Sequence, residues 1–284
     1  MGNTICAEGN LMLNFSWLEW VAITLVFYTY LTLSTDFLGK KFYPHLLIGG
    51  ATRRKPVIPK SKVAAYFIVN TVIVGTLIYW AFLATQKGYG SLYHQEINSV
   101  WSVAVIFGQF LLVYFVRDAN FYLFHRLLHS NKKLYKYLHR HHHEARFPNV
   151  WHLQYQHPLE LLVMSAAPIF WVVLLPIPLS IEGYLLALAV SITADISGHS
   201  GYEMSGTPLR VFALNGWIFF LDPKRKWIAR LFSNNLHHDL HHQRFSSNFG
   251  LYFTWWDYIF KSIDKDTDNM DKFISERKKA TSET

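Results

Sequence analysis

The sequence predicts an all-α integral membrane protein, with about four transmembrane helices and a cytoplasmic helical cap that holds a histidine-rich site for two metal ions. Three observations favour this fold class: the 284-residue chain is 51% hydrophobic and 17% aromatic, it contains long apolar segments without charge, and its 15 histidines gather in short clusters. A single cysteine excludes an internal disulfide framework, so stability must come from packing, lipid or metal.

Three segments in the first half are long and apolar enough to suggest membrane spans, since a spanning helix needs about 20 mostly apolar residues. Residues 63–85 and 100–116 carry no charge, and residues 17–34 carry only Glu19, near the start of the segment where lipid headgroups can hydrate it. Aromatic residues near several of these ends are typical of the membrane interface. We therefore expect three transmembrane helices before residue 117.

A further apolar stretch, residues 161–197, contains only Glu182 and Asp195 as charged residues. Pro176 and Pro178 interrupt it, which predicts two helices of roughly 159–176 and 183–197 joined by a tight turn. We interpret this stretch as a hairpin that enters the membrane and returns to the same side.

The whole chain is predicted to be one membrane-embedded domain. Its parts are the first three spans (1–116), the first histidine clusters (117–158), the membrane hairpin (159–197), the cap with the last histidine cluster (198–262) and a polar tail (263–284).

Loop charge predicts the orientation in the membrane, because loops rich in Lys and Arg stay in the cytoplasm. Residues 35–62 contain seven such residues, whereas residues 86–99 contain only Lys87. Residues 117–158 are again rich in Lys and Arg, so every histidine cluster is expected on the cytoplasmic side. The net charge of +8 is compatible with nucleic-acid binding, but the apolar segments favour a membrane surface, so no nucleic-acid partner is expected.

The histidine clusters have the spacing of metal ligands on helices. His125 and His129 are four residues apart, which places them about 40° apart on one helical face. Two triples repeat the spacing i, i+3, i+4, and such a triple can supply ligands to two adjacent metals; they are His139, His142 and His143, then His238, His241 and His242. Helical geometry points His141 away from the first triple, and it leaves His237 just outside the second triple, less decisively.

Imidazole suits Fe, Zn, Cu and Ni, and the ligands available are too many for one metal and about right for two. An all-histidine set differs from the carboxylate di-iron bundles, which use Glu and Glu-x-x-His. Acidic residues near the clusters are instead candidates to orient the ligands by accepting the second ring N–H. These candidates are Asp118, Asp195, Asp239 and Asp257, and the alternative for each is an ordinary helix-end charge.

With these clusters the sequence resembles the fatty acid hydroxylase/sterol desaturase superfamily, whose pattern is HxxxH, HxxHH and a late HxxHH. The matching segments here are HRLLH (125–129), HRHHH (139–143) and HDLHH (238–242). The similarity continues in RDANFYLFHRLLH, HPLE, HSGYE and NFGLYFTWWDYIFKS, so it covers about residues 115–262. The segment after His199 reads SGYEMSG and lacks the extra histidines of the fatty acid 2-hydroxylase branch, which favours the branch of sterol C-5 desaturases and C-4 methylsterol oxidases.

The resemblance implies an enzyme that uses two iron ions and O2 to hydroxylate or desaturate a lipid, with a sterol-like substrate favoured over a fatty acyl lipid. Electrons would come from NAD(P)H through a separate carrier, such as cytochrome b5 or ferredoxin with its reductase, since the sequence has no heme-binding HPGG segment. It implies no catalytic residues beyond the metal ligands, and zinc could replace iron in a crystal. The implied ligands are His125, His129, His139, His142, His143, His157, His199, His238, His241 and His242.

Some alternatives stay open at the level of sequence. A membrane metal transporter or metal-binding protein would also need histidine ligands, but transporters usually place ligands near the midplane of their spans. Hydroxylation and desaturation share the same histidine pattern, and the compartment would be the endoplasmic reticulum in a eukaryote or the inner membrane in a bacterium. Residues 207–232 are expected to form a lipid-facing entrance, where Lys224, Arg225, Lys226 and Arg230 could contact headgroups or an acidic electron donor.

Overall fold

The structure, a computed structural model, describes residues 14–49, 53, 57–204 and 227–268. It confirms a mostly helical membrane protein: four of the described helices are long and apolar enough to cross a bilayer. They are α1 (Trp17–Phe42), α2 (Lys60–Gln86), α3 (Val100–Ser130) and α7 (Ile181–Gly198). The short helices are α4 (Lys132–Leu134), α5 (Pro158–Leu161), α6 (Ala167–Trp171), α8 (Asn235–Arg244) and α9 (Trp255–Ile259).

Serine side chains cap the start of three of the four long helices, α1, α3 and α7. Ser16 and Ser99 each form a capping box at the start of α1 and α3, which satisfies backbone N–H groups that the first helical turn leaves free. Ser180 caps α7 by accepting a hydrogen bond from the Gly183 N–H. Glycine at 183 is required by close packing, because a Cβ there would lie 2.8 Å from the Ile106 carbonyl oxygen of α3.

Helix α3 continues well beyond the predicted end of its span at residue 116. Its 31 residues extend about 46 Å, whereas the hydrocarbon core of a bilayer is about 30 Å thick. The C-terminal part of α3 therefore reaches past the apolar layer, and this part carries His125 and His129.

The first arm of the hairpin is not the continuous helix predicted for 159–176. It consists of α5, a π-helical turn at Leu162–Ala166, α6 and a 3-10 turn at Val172–Leu174. Asn120 of α3 donates hydrogen bonds to the Val163 and Met164 carbonyl oxygens at 3.0 and 2.8 Å. A π-helical turn departs from the α-helical hydrogen-bond pattern, and these two bonds supply donors to carbonyl oxygens within it.

The ends of the long helices alternate between two poles of the molecule. At one pole, β1 (Leu92–Tyr93), which follows α2, pairs in parallel with β2 (Leu179–Ser180), which precedes α7. At the other pole lie the C-terminal ends of α3 and α7. Basic residues near the start of α2 lie there too, because Lys62 is 3.7 Å from Glu144 of the second histidine cluster. The basic segments and the histidines thus share one pole, and the assignment of this pole to the cytoplasm stays a prediction.

The cap over this pole is built from α8 and the chain that follows it. Asn234 caps α8, and Phe245 ends it in a left-handed conformation with φ of 64°. The chain then packs back on α3, where the rings of Tyr114 and Tyr252 stack with centroids 4.1 Å apart. The cap is thereby fixed to the same helix that carries the first histidine pair.

Candidate metal centre

Nine histidines from distant parts of the chain converge at the capped pole in two groups. Within each group one ring nitrogen of every residue lies within 4.8 Å of all the others, and within the described residues both groups consist of histidine alone. Group one contains His125, His129, His139, His143 and His241, and group two contains His142, His199, His238 and His242. The rings of His143 and His242 are 4.9 Å apart between centroids, so the two groups are direct neighbours.

Each histidine triple contributes to both groups. In the first triple, His139 and His143 belong to group one and His142 to group two. In the second triple the division is reversed, with His241 in group one and His238 and His242 in group two. The spacing i, i+3, i+4 therefore places each triple in two adjacent groups, in agreement with the sequence prediction that one triple can supply ligands to two metals.

Four of the rings have a fixed orientation because their Nδ1 atoms contact backbone carbonyl oxygens. In group one, His125 bonds to Phe249 at 2.9 Å and His241 to Ser247 at 2.7 Å. In group two, His142 bonds to Tyr155 at 3.3 Å and His199 to Asp195 at 2.9 Å. A carbonyl oxygen can only accept, so each Nδ1 carries the proton and each Nε2 has a free lone pair.

The lone pairs face one another, and this arrangement fits a metal ion. The Nε2 atoms of His142 and His199 are 3.4 Å apart, and neither carries a proton that could form a hydrogen bond between them. In group one the Nε2 atoms of His129, His139 and His143 lie 2.8 to 3.1 Å from one another. Nitrogen ligands about 2.0–2.1 Å from one metal are themselves about 2.8–3.4 Å apart at octahedral to tetrahedral angles, so these separations match a coordination sphere.

Burial keeps these rings neutral, the form that binds a metal. It lowers the pKa of His139 and His142 to about 3 and that of His199 to about 4. The pKa values of His238 and His242 lie well below the usual value, first through burial and then through neighbouring histidines. A desolvated imidazole cannot easily take a proton, so it offers its lone pair near neutral pH.

Acid is therefore expected to destabilise the metal-free fold. Below about pH 6.5 the histidines of the unfolded chain bind protons, whereas His139, His142 and His199 stay neutral in the fold until about pH 4 to 3. The unfolded state then binds more protons, so stability falls as the pH decreases through this window. Thermal unfolding of the detergent-solubilised protein from pH 8 to pH 4 measures this loss of stability. In His142→Ala the unfolding midpoint should depend less steeply on pH. A thermal unfolding midpoint that stays constant below pH 6.5 would contradict the predicted loss of stability in acid.

The second histidine cluster does not form the regular helix that the spacing argument used. Tyr135–His139 is a π-helical turn and His142–Glu144 is a 3-10 turn. His141 lies between them, and its ring packs on Tyr155 and Tyr66, with centroids 4.2 and 4.6 Å away, outside both groups.

His157 and His237 are among the other histidines that lie outside the groups. His157, which the family resemblance implies as a ligand, belongs to neither group; it caps α5, and its Nδ1 accepts the Leu159 N–H at 3.2 Å. His237 is buried and bonds through Nε2 to Asp257 at 3.1 Å. The HPLE segment thus caps a helix through its histidine, while its glutamate, Glu160, contacts the grouped residue His139.

The four aspartates predicted to orient the ligands do not contact the nine histidines with their carboxylates in the described structure. Asp118 accepts the Tyr252 N–H and the Trp256 ring N–H, both at 2.7 Å, and so holds the cap on α3. Asp257 accepts the Phe249 and Gly250 N–H groups at 2.9 Å. The other two pair with arginine: Asp239 lies 2.8 Å from Arg53, and Asp195 lies 3.7 Å from Arg117.

The carboxylate that does contact a candidate ligand is Glu160, which the sequence argument did not select. Its Oε1 lies 2.8 Å from His139 Nδ1, and both side chains are fully buried. This contact leaves the His139 Nε2 lone pair free to face His129. The available signal was its position directly before the apolar stretch 161–197.

Replacing Glu160 with Gln is expected to weaken metal binding about 10- to 100-fold, because loss of an orienting partner has effects of this size. Gln retains an acceptor for the His139 N–H and Leu does not, so Glu160→Leu should have the larger effect. Metal titration of the purified variants measures this. Glu144→Gln is the control, because Glu144 is partly exposed and accepts a hydrogen bond from Tyr155 instead. Equal affinities for Glu160→Leu and wild type would contradict the role of Glu160.

Comparisons with known proteins agree with this geometry. The model of the fatty acid hydroxylase family matches residues 110–262, more than half of the chain, and this range includes all nine grouped histidines. The chain belongs to the fatty acid hydroxylase family.

Several curated proteins resemble this fatty acid hydroxylase family member. It is 34% identical over 145 residues to methylsterol monooxygenase 1 of Rattus norvegicus, covering 51% of this chain and 43% of that protein. It is 32% identical over 154 residues to a sphingolipid C4-hydroxylase of Schizosaccharomyces pombe, covering 53% and 46%. It is 28% identical over 194 residues to a Delta(7)-sterol 5(6)-desaturase of Gibberella zeae, covering 68% and 52%. The chain spans about half the length of these relatives, and no solved structure matches it.

A cavity inside this family member leads to both histidine groups. His125 and His139 of group one and His142, His199 and His238 of group two line it. Much of the remaining lining is apolar, with Val74, Phe121, Leu161, Met164 and Ile169. Of the predicted entrance at 207–232, residues 207–226 lie outside the described part of the chain, with Lys224, Arg225 and Lys226. Arg230 is described and pairs with Asp268 at 3.1 Å.

Proposed function

We propose that this chain is an O2-dependent hydroxylase or desaturase of a membrane lipid, with one iron ion in each histidine group. The observation that carries the proposal is the pair of adjacent all-histidine groups that open into one mainly apolar cavity. The first group would bind iron through His125, His129, His139, His143 and His241, and the second through His142, His199, His238 and His242. When bound, iron supplies the activation of O2 that attack on an unactivated C–H bond requires.

The chemistry of the overall reaction sets what the protein must provide. Hydroxylation places one oxygen atom of O2 in a C–H bond and reduces the other to water, using two electrons and two protons. Desaturation removes two hydrogens from the lipid, uses the same two electrons and two protons, and releases both oxygen atoms as water. The apolar lining of the cavity would exclude bulk water and hold the lipid beside the histidines, while Phe249, Tyr155 and Asp195 keep the rings oriented through their carbonyl oxygens.

A sterol-like lipid is the favoured substrate, because matched relatives include a methylsterol monooxygenase and a Delta(7)-sterol 5(6)-desaturase. A separate carrier, such as cytochrome b5 or ferredoxin with its reductase, would deliver electrons from NAD(P)H. The active site would face the cytoplasm, in the endoplasmic reticulum of a eukaryote or the inner membrane of a bacterium. The shared location of the histidines and basic segments at one pole supports this orientation.

Reconstitution in liposomes separates this function from metal transport. Iron-loaded protein with NADH, cytochrome b5 reductase, cytochrome b5 and a methylsterol is expected to consume O2 and yield an oxidised sterol. His199→Ala should lose this activity, whereas His45→Ala, which alters a histidine outside both groups, should retain it. Metal flux into the liposomes without O2 consumption would contradict the proposal and support a transporter.

A further inference from the structure

A buried ion pair lines the same apolar cavity as the grouped histidines. Arg117 of α3 and Asp195 of α7 both line the cavity, and Arg117 Nη2 lies 3.7 Å from Asp195 Oδ2. The two residues are only 4% and 8% exposed. Charged residues inside membrane spans are costly, so they more often serve a substrate or ion than stability.

The geometry of this pair leaves hydrogen-bonding capacity unused. Arg117 Nε and Nη1 are buried and form no hydrogen bond to the described residues, whereas the Asp195 carboxylate also has the Tyr252 hydroxyl beside it. The Oε1 atom of Gln156, which also lines the cavity, likewise forms no hydrogen bond to the described residues. An ion pair that served only to join α3 to α7 would be expected to satisfy its own buried donors and acceptors, because each unsatisfied group costs about 1–3 kcal/mol.

The position of the pair relates it to the reacting end of the cavity. Arg117 precedes the ligand His125 by eight residues on α3, which is about 12 Å along the helix axis. Asp195 precedes the ligand His199 by four residues, about 6 Å along α7. A group bound between them would therefore lie roughly one to two helical turns from the histidines, within the length of a single lipid ring system.

We infer that Arg117 and Asp195 form a specificity subsite for a neutral hydroxyl group of the lipid substrate. A hydroxyl can accept from the guanidinium and donate to the carboxylate, so it satisfies both partners. A carboxylate ligand would face the negative charge of Asp195, and a pure hydrocarbon would leave both charges unsatisfied. The inference rests on the proposed lipid-binding role of the cavity, and it assigns to Arg117 and Asp195 a role in selecting the substrate rather than in its oxidation.

Direct binding tests this subsite without iron, O2 or an electron donor. The full chain in lipid nanodiscs is titrated with two matched pairs, cholestanol against 5α-cholestane and 1-hexadecanol against hexadecane, and the dissociation constants are compared. We expect a preference of at least tenfold for the alcohol in one pair, since a site built for a hydroxyl strongly rejects an analogue without it. The pair that shows the preference identifies a sterol or an acyl chain as the hydroxyl's carrier. Equal affinities within both pairs would overturn the inference.

Variants separate recognition from a structural role. Arg117→Met is expected to reduce the preference to less than about twofold by weakening alcohol binding, while hydrocarbon binding stays unchanged. The matched control is Gln109→Met, because Gln109 of α3 also bonds to the segment before α7, at Pro178, but does not line the cavity. This control should retain the full preference. An equal loss of alcohol and hydrocarbon binding in Arg117→Met would show that Arg117 only supports the fold.

Two further outcomes keep the test decisive. If Arg117→Met does not fold, Asp195→Asn provides the same comparison, and an unchanged preference there would overturn the inference. Hydroxyl preference without lipid oxidation would sustain the subsite and contradict the proposed oxygenase. Lipid oxidation without hydroxyl preference would sustain the oxygenase and overturn only the subsite.

Discussion

Replacing His142 with alanine is expected to remove metal from group two and to reduce lipid oxidation by more than about 100-fold. His142 is one of four histidines in that group, and its Nε2 lone pair faces the Nε2 of His199 at 3.4 Å. Loss of a residue that merely orients a metal ligand already lowers affinity or activity 10- to 100-fold, so loss of a ligand should exceed this. Metal analysis of the purified variant, together with its turnover, measures both effects.

The neighbouring His141→Ala variant is the matched control. His141 packs against Tyr155 and Tyr66, and its side chain belongs to neither group. We expect it to bind the same amount of metal as the wild type, with activity lowered no more than a few-fold. Equal losses in the two variants would disprove the assignment of His142 and His141 to opposite sides of the turn.

Removal of metal is the second change with a large expected effect, here on stability. The histidines meet with their lone pairs facing one another, an arrangement that a metal ion makes favourable and that its absence leaves repulsive. A ligand present at about 1,000 times its dissociation constant stabilises the fold by about 4 kcal/mol. At roughly 2–4 °C for each kcal/mol, chelation of one ion should lower the thermal unfolding midpoint by about 8–16 °C, and chelation of both by more.

Thermal unfolding before and after chelation, and after Fe(II) is added back, measures this effect. Chelation should lower the unfolding midpoint of His142→Ala by less than that of the wild type, because group two of this variant is already impaired. A midpoint that chelation does not lower would show that the nine histidines form a stable cluster without metal.

The sequence predicted the parts of the site that depend on spacing within short segments. The repeated spacing i, i+3, i+4 indicated which histidines of each cluster turn inward as a triple. It also indicated that each triple could supply ligands to two metals. The reason is that neighbouring residues stay close whether the local backbone is α-helical, as at His238, or built from π and 3-10 turns, as at His142. His199 came from the family resemblance, because no local spacing connects it to the clusters.

The sequence did not predict contacts between distant segments. Glu160 meets His139 only because the irregular arm of the hairpin packs beside the second cluster. Asp118 is seven residues from His125, but its carboxylate holds the backbone of Tyr252, more than a hundred residues away. Such pairings depend on how helices pack, which hydrophobic periodicity leaves undetermined in spans that are apolar on all sides.

Lipid mass spectrometry of cells grown under 18O2 tests the central claim most directly. Cells that express this chain are compared with cells that lack it and with cells that express His142→Ala. We predict a lipid that appears only with the intact chain and either carries one 18O atom, for hydroxylation, or lacks two hydrogens, for desaturation. Identical lipid profiles in all three cultures, with the intact chain present and loaded with iron, would contradict the account.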